Sequence, residues 1–379
     1  MRNILIILMF VGLACAFGDT WPTYHGGSDL RGAVETPLPD SLERIWMFNT
    51  SGRIDNTPVS DGERIFVSAG KGRIVAVTLK GEKAWEKTFS RTNDAGAETP
   101  FRFDGPLLYH KGLLLAGSSR GILLALDAAT GEEKWRLDID GILLGSPNII
   151  DDEHIVVLDQ GSGMLHAIDI TTGKIRWTTE GVERCDGSPG VDGGHVVFGS
   201  CQAALHVYDA EDGKHLRNIE VGDEGQIAGG VAMDSNRAYC GTLDGRLICA
   251  DVSEGRIVWT SAESIDQTFS TPAVGKDLVV YCSDDGLVYA VERETGKSRW
   301  KYDTGGMPYS PLIAGDKVLV SADGELILLS AADGSLLWKR SISDDITSPA
   351  LVNGWVVVGA DDGTVSAWGA QYPDAEKDE

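Results

Sequence analysis

"LDAATGEEKW", Leu126 to Trp135, pairs a tryptophan with the acids Asp127, Glu132 and Glu133. It reads either as an aromatic platform beside carboxylates or as scaffolding, and its recurrence decides between them. Matching blocks are "VTLKGEKAW" ending at Trp85, "IDITTGKIRW" at Trp177, "ADVSEGRIVW" at Trp259, "VERETGKSRW" at Trp300 and "LSAADGSLLW" at Trp338. "YDAEDGKHLR" carries Leu216 in the tryptophan place, and an early "SLERIW" ends at Trp46. The anchors are spaced 39, 50, 42, 39, 43, 41 and 38 residues apart. A period near 40 residues fits helical arrays or four-stranded propeller blades.

The local pattern selects the propeller. Runs such as "HVVFGS", "DLVVYCS", "KVLVSA" and "WVVVGA" are short and β-rich, and each is followed by Asp-Gly or a similar turn and then an alternating run. These are strand and hairpin signals, and no later segment holds a helical apolar period over three turns. Eight units begin near Thr57, Gly105, Ser146, Ser188, Gly229, Thr271, Ser310 and Ser348. The last stops after its third strand, whereas "LERIWMF" is a fourth strand with nothing before it. Pairing the two closes the ring and leaves no open sheet edges. The fold expected is all-β: an eight-bladed β-propeller of four-stranded blades, its ring closed by an N-terminal strand completing the last blade. Residues 42–370 then form one domain, 1–18 a signal peptide, 19–41 an N-terminal extended arm and 371–379 an acidic tail.

The unit "DGxLxALDxxTGExxW" resembles the tryptophan-docking repeat of the pyrroloquinoline quinone-type β-propeller superfamily. That resemblance implies one of two functions. Some members are quinone-dependent alcohol dehydrogenases. Another is a non-enzymatic propeller lipoprotein of the outer-membrane β-barrel assembly machinery, and this chain is most similar to that member and to its exported uncharacterised relatives. The segment "WPTYHGGSDLRG", Trp21–Gly32, resembles the opening of that exported group. The dehydrogenases' adjacent Cys-Cys pair and C-x-x-C-H haem segment are absent from this sequence. The leading expectation is therefore an exported, non-catalytic, protein-binding scaffold without a cofactor or metal, working with envelope proteins such as outer-membrane assembly components. The alternatives are an oxidoreductase or cofactor-binding relative holding pyrroloquinoline quinone and calcium, or a propeller that binds glycan or metal.

The net charge of −24 disfavours nucleic acid and anionic lipid surfaces. Arg2 followed by an apolar run from Ile4 to Ala14 has the length of a signal-peptide core rather than a membrane span. Two exits are expected: cleavage after Ala16 or Gly18, or lipidation of Cys15, although Gly12 stands where a lipobox wants Leu. The chain is thus expected in the periplasm or at the outer-membrane periphery, lipid-anchored through Cys15 or free, or else secreted. It is expected to be monomeric, with no transmembrane span.

The candidate sites follow from the repeat. A tryptophan in nearly every blade fits a repeated contact between blades, with Trp46, Trp85, Trp135, Trp177, Leu216, Trp259, Trp300 and Trp338 as the docking set. The acids beside them read as solvated. Asp244-Gly245, Asp285-Gly286, Asp323-Gly324 and Asp362-Gly363 read as tight hairpins. Ser/Thr-Pro opens the innermost strand of six blades, and Pro lacks the N–H that such a channel-facing edge leaves unpaired. The residues just before it should ring the channel mouth: Asp55, Asn56, Arg102, Phe103, Asp104, Arg184, Asp186, Gln226, Gln267, Phe269, Tyr309, Asp344 and Asp345. The mouth is where the resemblance places the dehydrogenases' cofactor. The longest spacing marks an inserted loop in which Phe101, Arg102 and Phe103 are either a protein-binding surface or tucked beneath the loop. Cys240–Cys249 and Cys185–Cys201 are candidate disulfides, the first pair facing each other only if the turn between them is a two-residue loop.

Overall fold

Each unit folds as a four-stranded antiparallel sheet, here labelled A to D from the channel outward, because both inner strands are apolar on both faces and must be covered by neighbouring blades. Blade one is Val59–Ser60, Arg64–Ser68, Arg73–Thr78 and Lys83–Thr88, and the pattern repeats to blade eight, Ala350–Val352, Trp355–Gly359 and Thr364–Gly369. The missing eighth outer strand is Glu43–Asn49, which pairs with Thr364–Gly369 as the sequence predicts. The computed structural model describes residues 20–92, 96–222 and 224–370. The leader, Cys15 and the tail 371–379 lie outside them. Among the described residues there is no helix, and none long and apolar enough to cross a membrane.

The opening stretch now has a role for each residue. Trp85 stacks on Gly131, whose φ of +71° an added Cβ could not share with a ring carbon 2.6 Å away. The Trp85 indole N–H donates to Ala128 O at 2.9 Å. Trp135 repeats the contact one blade on, over Gly173 and bonded to Ile170 O at 2.8 Å. Trp177, Trp259 and Trp300 do likewise on Gly213, Gly296 and Gly334, and Trp46 stacks on Gly81. Beside Leu216, Arg217 supplies the donor instead, bonding Ser253 O beside Gly255. Trp338 faces the closing blade, where the chain has no C–D turn, and meets Trp368 at 6.0 Å.

In four of these stretches an acid is more than solvated. Asp127 Oδ1 accepts the N–H groups of Ala129 and Thr130 at 3.0 and 3.1 Å, so it caps the turn. Asp169 does the same for Thr171 and Thr172, and these bonds from Thr172 hold its carboxyl below the ordinary range. A depressed folded-state pKa stabilises above the unfolded value and is lost as pH falls through the folded one. Asp169→Ala is therefore expected to cost about 1 kcal/mol at pH 7 and to lose less than the parent on acidification below pH 3.8, the ordinary Asp value. Denaturant midpoints measured against pH check this.

Two expectations about turns and thiols are corrected. Only Asp323-Gly324 is a two-residue hairpin, with Ala322 opposite Glu325. Around Asp244-Gly245 the last pair is Gly241 with Leu247, leaving a five-residue loop. That places Cys240 opposite Ile248 and Cys249 opposite Tyr239. A one-residue offset sends two side chains to opposite faces of a sheet, so the two thiols lie in different inter-blade cores. Cys185 turns into the core between blades three and four while Cys201 sits half-exposed in a turn, and both are free thiols. Burial pushes the Cys185 and Cys240 thiols up to about 12 and Cys249 to about 11. Alkylation of the native protein followed by mass spectrometry should therefore label Cys201 first, and label Cys185, Cys240, Cys249 and Cys282 only after denaturation.

The arm is wound rather than extended. Trp21 pairs with Ser60 of blade one, and Pro22 O accepts the Tyr109 N–H of blade two at 2.7 Å. Ser28 O takes Asn148 Nδ2 of blade three and the Val191 N–H of blade four. Asp29 O, Arg31 O and Gly32 O take the N–H groups of Met233, Val274 and Ile313 in blades five, six and seven. Ala33–Val34 then adds as a parallel fifth strand beside Leu312–Ala314, and Leu38 and Leu42 enter the core beneath blade eight. Left-handed residues His25, Gly26, Leu30 and Gly32 supply the winding.

Candidate functional site

The channel has two ends. The end where strands A start carries the D–A loops and B–C turns, and it is the mouth. The arm occupies the other end and sends Tyr24 up the axis, where its hydroxyl meets Ser310 Oγ at 2.6 Å and Thr271 Oγ1 at 3.1 Å. The Ser/Thr of the Ser/Thr-Pro openings thus does more than mark an edge. Ser146 N–H donates to Ser188 Oγ and Thr271 N–H to Ser310 Oγ, tying neighbouring blades, while Ser146 Oγ bonds Thr23 of the arm.

Above Tyr24 lies a polar cavity of about 340 Å³ lined by Asp55, Asn56, Tyr309 and Asp345 of the predicted ring, together with Arg53. Arg53 is the residue the sequence reading missed. It pairs with Asp55, lies 3.0 Å from Asp345 and 4.0 Å from Asp361, and joins the loop before blade one to the loop before blade eight. Asp345 accepts the Tyr309 hydroxyl at 3.0 Å. Burial and that carboxylate push the phenol up to about 12. Asp361 is held below the carboxylate range by the Ser343 hydroxyl, with the Asp345 N–H and Arg53 adding to it. Asn56 Nδ2 fixes Phe103 O at 2.9 Å.

A signal for Arg53 was present in the chain. "RID", "RFD" and "RCD" precede strand A of blades one, two and four. All three fold into the same i,i+2 ion pair: Arg53–Asp55, Arg102–Asp104 at 3.3 Å and Arg184–Asp186 at 2.9 Å. Gln226 and Gln267 are exposed on other mouth loops and Asp344 is exposed beside Asp345, and none of the three lines the cavity with Arg53. Gln226 O and Gln267 O accept the N–H groups of Leu243 and Asp284, which hold those loops to the turns behind them.

The inserted loop resolves against a binding role for its phenylalanines. Its stem is a short hairpin, Ser90–Thr92 with Glu98–Pro100. Phe101 and Phe103 are 2% and 7% exposed, packed at 6.0 Å from one another and against Phe89, with the Arg136 guanidinium 5.8 Å from the Phe101 ring centre. Only Arg102 remains outward, paired to Asp104.

The mouth does not fit a quinone with calcium. Its nearest carboxylates, Asp55, Asp345 and Asp361, converge on the Arg53 guanidinium, which takes the place a cation would need, and Tyr309 and Ser343 bond Asp345 and Asp361 in addition. Tyr24 and Tyr309 line the cavity, and both hydroxyls are taken up by protein partners. Among the described residues no group of three or more His, Cys, Asp or Glu side chains is arranged to hold a metal ion.

What the mouth face does offer is apolar surface. Ile265 and Phe269, on the loop between blades five and six, are 91% and 47% exposed. On the next loop Met307 and Tyr309 are 45% and 38% exposed, and Ile142 stands out from the loop before blade three. Asp266 lies on the first of these loops, Asp284 on the B–C turn of blade six, Asp303 at the end of the strand that leads into the second loop, and Asp344 on the loop before blade eight. Burial and its acidic neighbours Asp266 and Asp285 raise the Asp284 carboxyl above its ordinary range.

Three comparisons bear on this architecture. The chain is 23% identical over 352 residues to the outer membrane protein assembly factor BamB of Yersinia pestis, a match covering 86% of this chain and 80% of that one. In fold it is similar to the crystal structure of BamB from Moraxella catarrhalis, with a TM-score of 0.73 and 22% identity, covering 88% of this chain and 98% of that one. It is also similar in fold to the quinohemoprotein alcohol dehydrogenase of Comamonas testosteroni, with a TM-score of 0.75 and 15% identity, covering 94% and 82%. The family model described as outer membrane protein assembly factor BamB matches residues 40–141, 92–302 and 284–372, which is nearly the whole ring. A tryptophan-docked, eight-bladed ring matched by that model along its length belongs to the outer membrane protein assembly factor BamB family.

Proposed function

We propose that this chain is an exported, non-catalytic, protein-binding propeller that works with components of outer-membrane protein assembly, as its relatives' name records. The observation that carries the reading is the exposed apolar arc of Ile265, Phe269, Met307 and Tyr309 on consecutive mouth loops. Loops on a rigid ring hold such side chains in fixed positions, and apolar groups kept in water at a rim are a feature of interaction sites. The acids around the arc favour a partner segment that is apolar at its centre and basic at its flanks. The protein resides in the periplasm or at the outer-membrane periphery, reached through the leader, and acts as a monomer without quinone or metal. Affinity capture of the mature protein from its native envelope tests this. An outer-membrane assembly component should co-purify, and capture should fail when the mouth arc is made acidic. Dye-linked dehydrogenase activity on adding quinone and calcium would overturn it.

A further inference from the structure

The arm is tied to the ring chiefly by backbone. Its carbonyls at Pro22, Ser28, Asp29, Arg31, Gly32 and Val34 accept N–H groups from the channel-facing edges of blades two, four, five, six and seven. Each of those edges would otherwise present an unpaired donor to the channel. The link from the arm to the closing strand runs through Pro37–Ser41, where Asp40 and Ser41 are exposed and only Leu38 is anchored in the core. The contacts that seat the arm therefore do not depend on its covalent attachment to the ring.

We propose that the arm end of the channel is a peptide-binding ring, and that residues 20–34 are its ligand, bound in cis as a clasp over the blades. The ligand class follows from the lining. It is a wound segment that offers carbonyls to successive blades and an aromatic ring to the axis. It also needs glycine where the path closes on itself. Gly32 is that place, because a Cβ there would lie 2.2 Å from the His25 ring. His25 is 2% exposed and fixed between Leu30 O at 2.7 Å and Pro311 O at 2.8 Å, so it cannot yield. Tyr24 couples the two ends: where the arm leaves, the floor of the mouth cavity leaves with it.

The test uses the full chain, with a protease recognition sequence placed between Asp40 and Ser41 and cut after folding. The nicked protein is incubated with a hundredfold excess of a fluorescently labelled peptide of residues 20–38. Label should co-elute with the ring in gel filtration and show saturable anisotropy, whereas the same peptide carrying Gly32→Ala should not enter. Absence of incorporated label, or equal incorporation of both peptides, overturns the proposal. A second measurement covers the case in which nicking unfolds the ring. In the intact chain, Gly32→Ala should speed hydrogen exchange at the Val191, Met233, Val274 and Ile313 amides at least tenfold. Exchange along Leu278–Cys282 against Leu287–Glu292 should stay unchanged. Unchanged protection at those four amides overturns it equally.

Discussion

Trp300→Ala should lower the folding stability by about 3–5 kcal/mol, the range for emptying a large aromatic site. The ring is 8% exposed and rests on Gly334, with carbons 2.6 and 2.7 Å from where a Cβ would stand. Its N–H bonds Ala331 O at 2.9 Å in the next blade. Truncation leaves a cavity between blades six and seven and an unpaired carbonyl beside it. Because the ring is closed, no single blade can shift to refill that cavity without disturbing the next interface. Trp300→Phe separates the two contributions: it keeps most of the stack and loses the hydrogen bond, at about 1 kcal/mol. Gly334→Ala approaches the same contact from the other side, since its φ of +72° and the ring both exclude a methyl group. Leu216→Ala, at the position without a tryptophan, should cost less than Trp300→Ala. Denaturant midpoints across the four variants decide the ranking, and equal costs at Trp300 and Leu216 would contradict the docking account.

The second large effect concerns the mouth. Ile265→Asp combined with Phe269→Asp should weaken capture of the envelope partner by roughly tenfold to a hundredfold, or about 1.4–2.8 kcal/mol. Both side chains are exposed, so the folding midpoint should move by no more than about 0.5 kcal/mol. Phe101→Ala gives the opposite pattern. That residue is 2% exposed, in the core between blades one and two, so its loss should cost stability and leave partner capture intact once the protein is folded. The pair of outcomes separates a binding surface from a packed loop.

Why some of this could be read from the chain and some could not is a matter of repetition. Strands B and C of blade six fall at Leu278–Cys282 and Leu287–Glu292, where alternation between two turns placed them. Ring closure by Glu43–Asn49 was legible because the first and last units were each incomplete. The tryptophans were legible as a repeated contact for the same reason, since one cofactor does not need a platform in every blade. The arm was not legible. Its partners are backbone N–H groups, which any residue but proline supplies, so Trp21–Gly32 carries no complementary sequence elsewhere. Arg53 was hidden differently, because its Arg-x-Asp pattern occurs in only three blades, although Arg53 and Arg184 each fall seven residues after their tryptophans, Trp46 and Trp177. The phenylalanines of the inserted loop show the limit of composition, which is the same for an interface and for a core. The cysteine pairs show the limit of symmetry. Cys240 and Cys249 are equidistant from Asp244-Gly245, but a five-residue loop centres the register on Asp244 and separates their faces.

The central claim is that the mouth face holds an assembly partner. Site-specific photocrosslinking reads it directly, with a photoreactive phenylalanine analogue at position 269 on the mouth and at position 175 on the outer wall of blade three, where Ile175 is 45% exposed. Irradiated in the native envelope, position 269 should give a discrete adduct containing an outer-membrane assembly component, and position 175 should not. An adduct from position 175 alone, or none from either position while the protein is present and folded, would contradict the account.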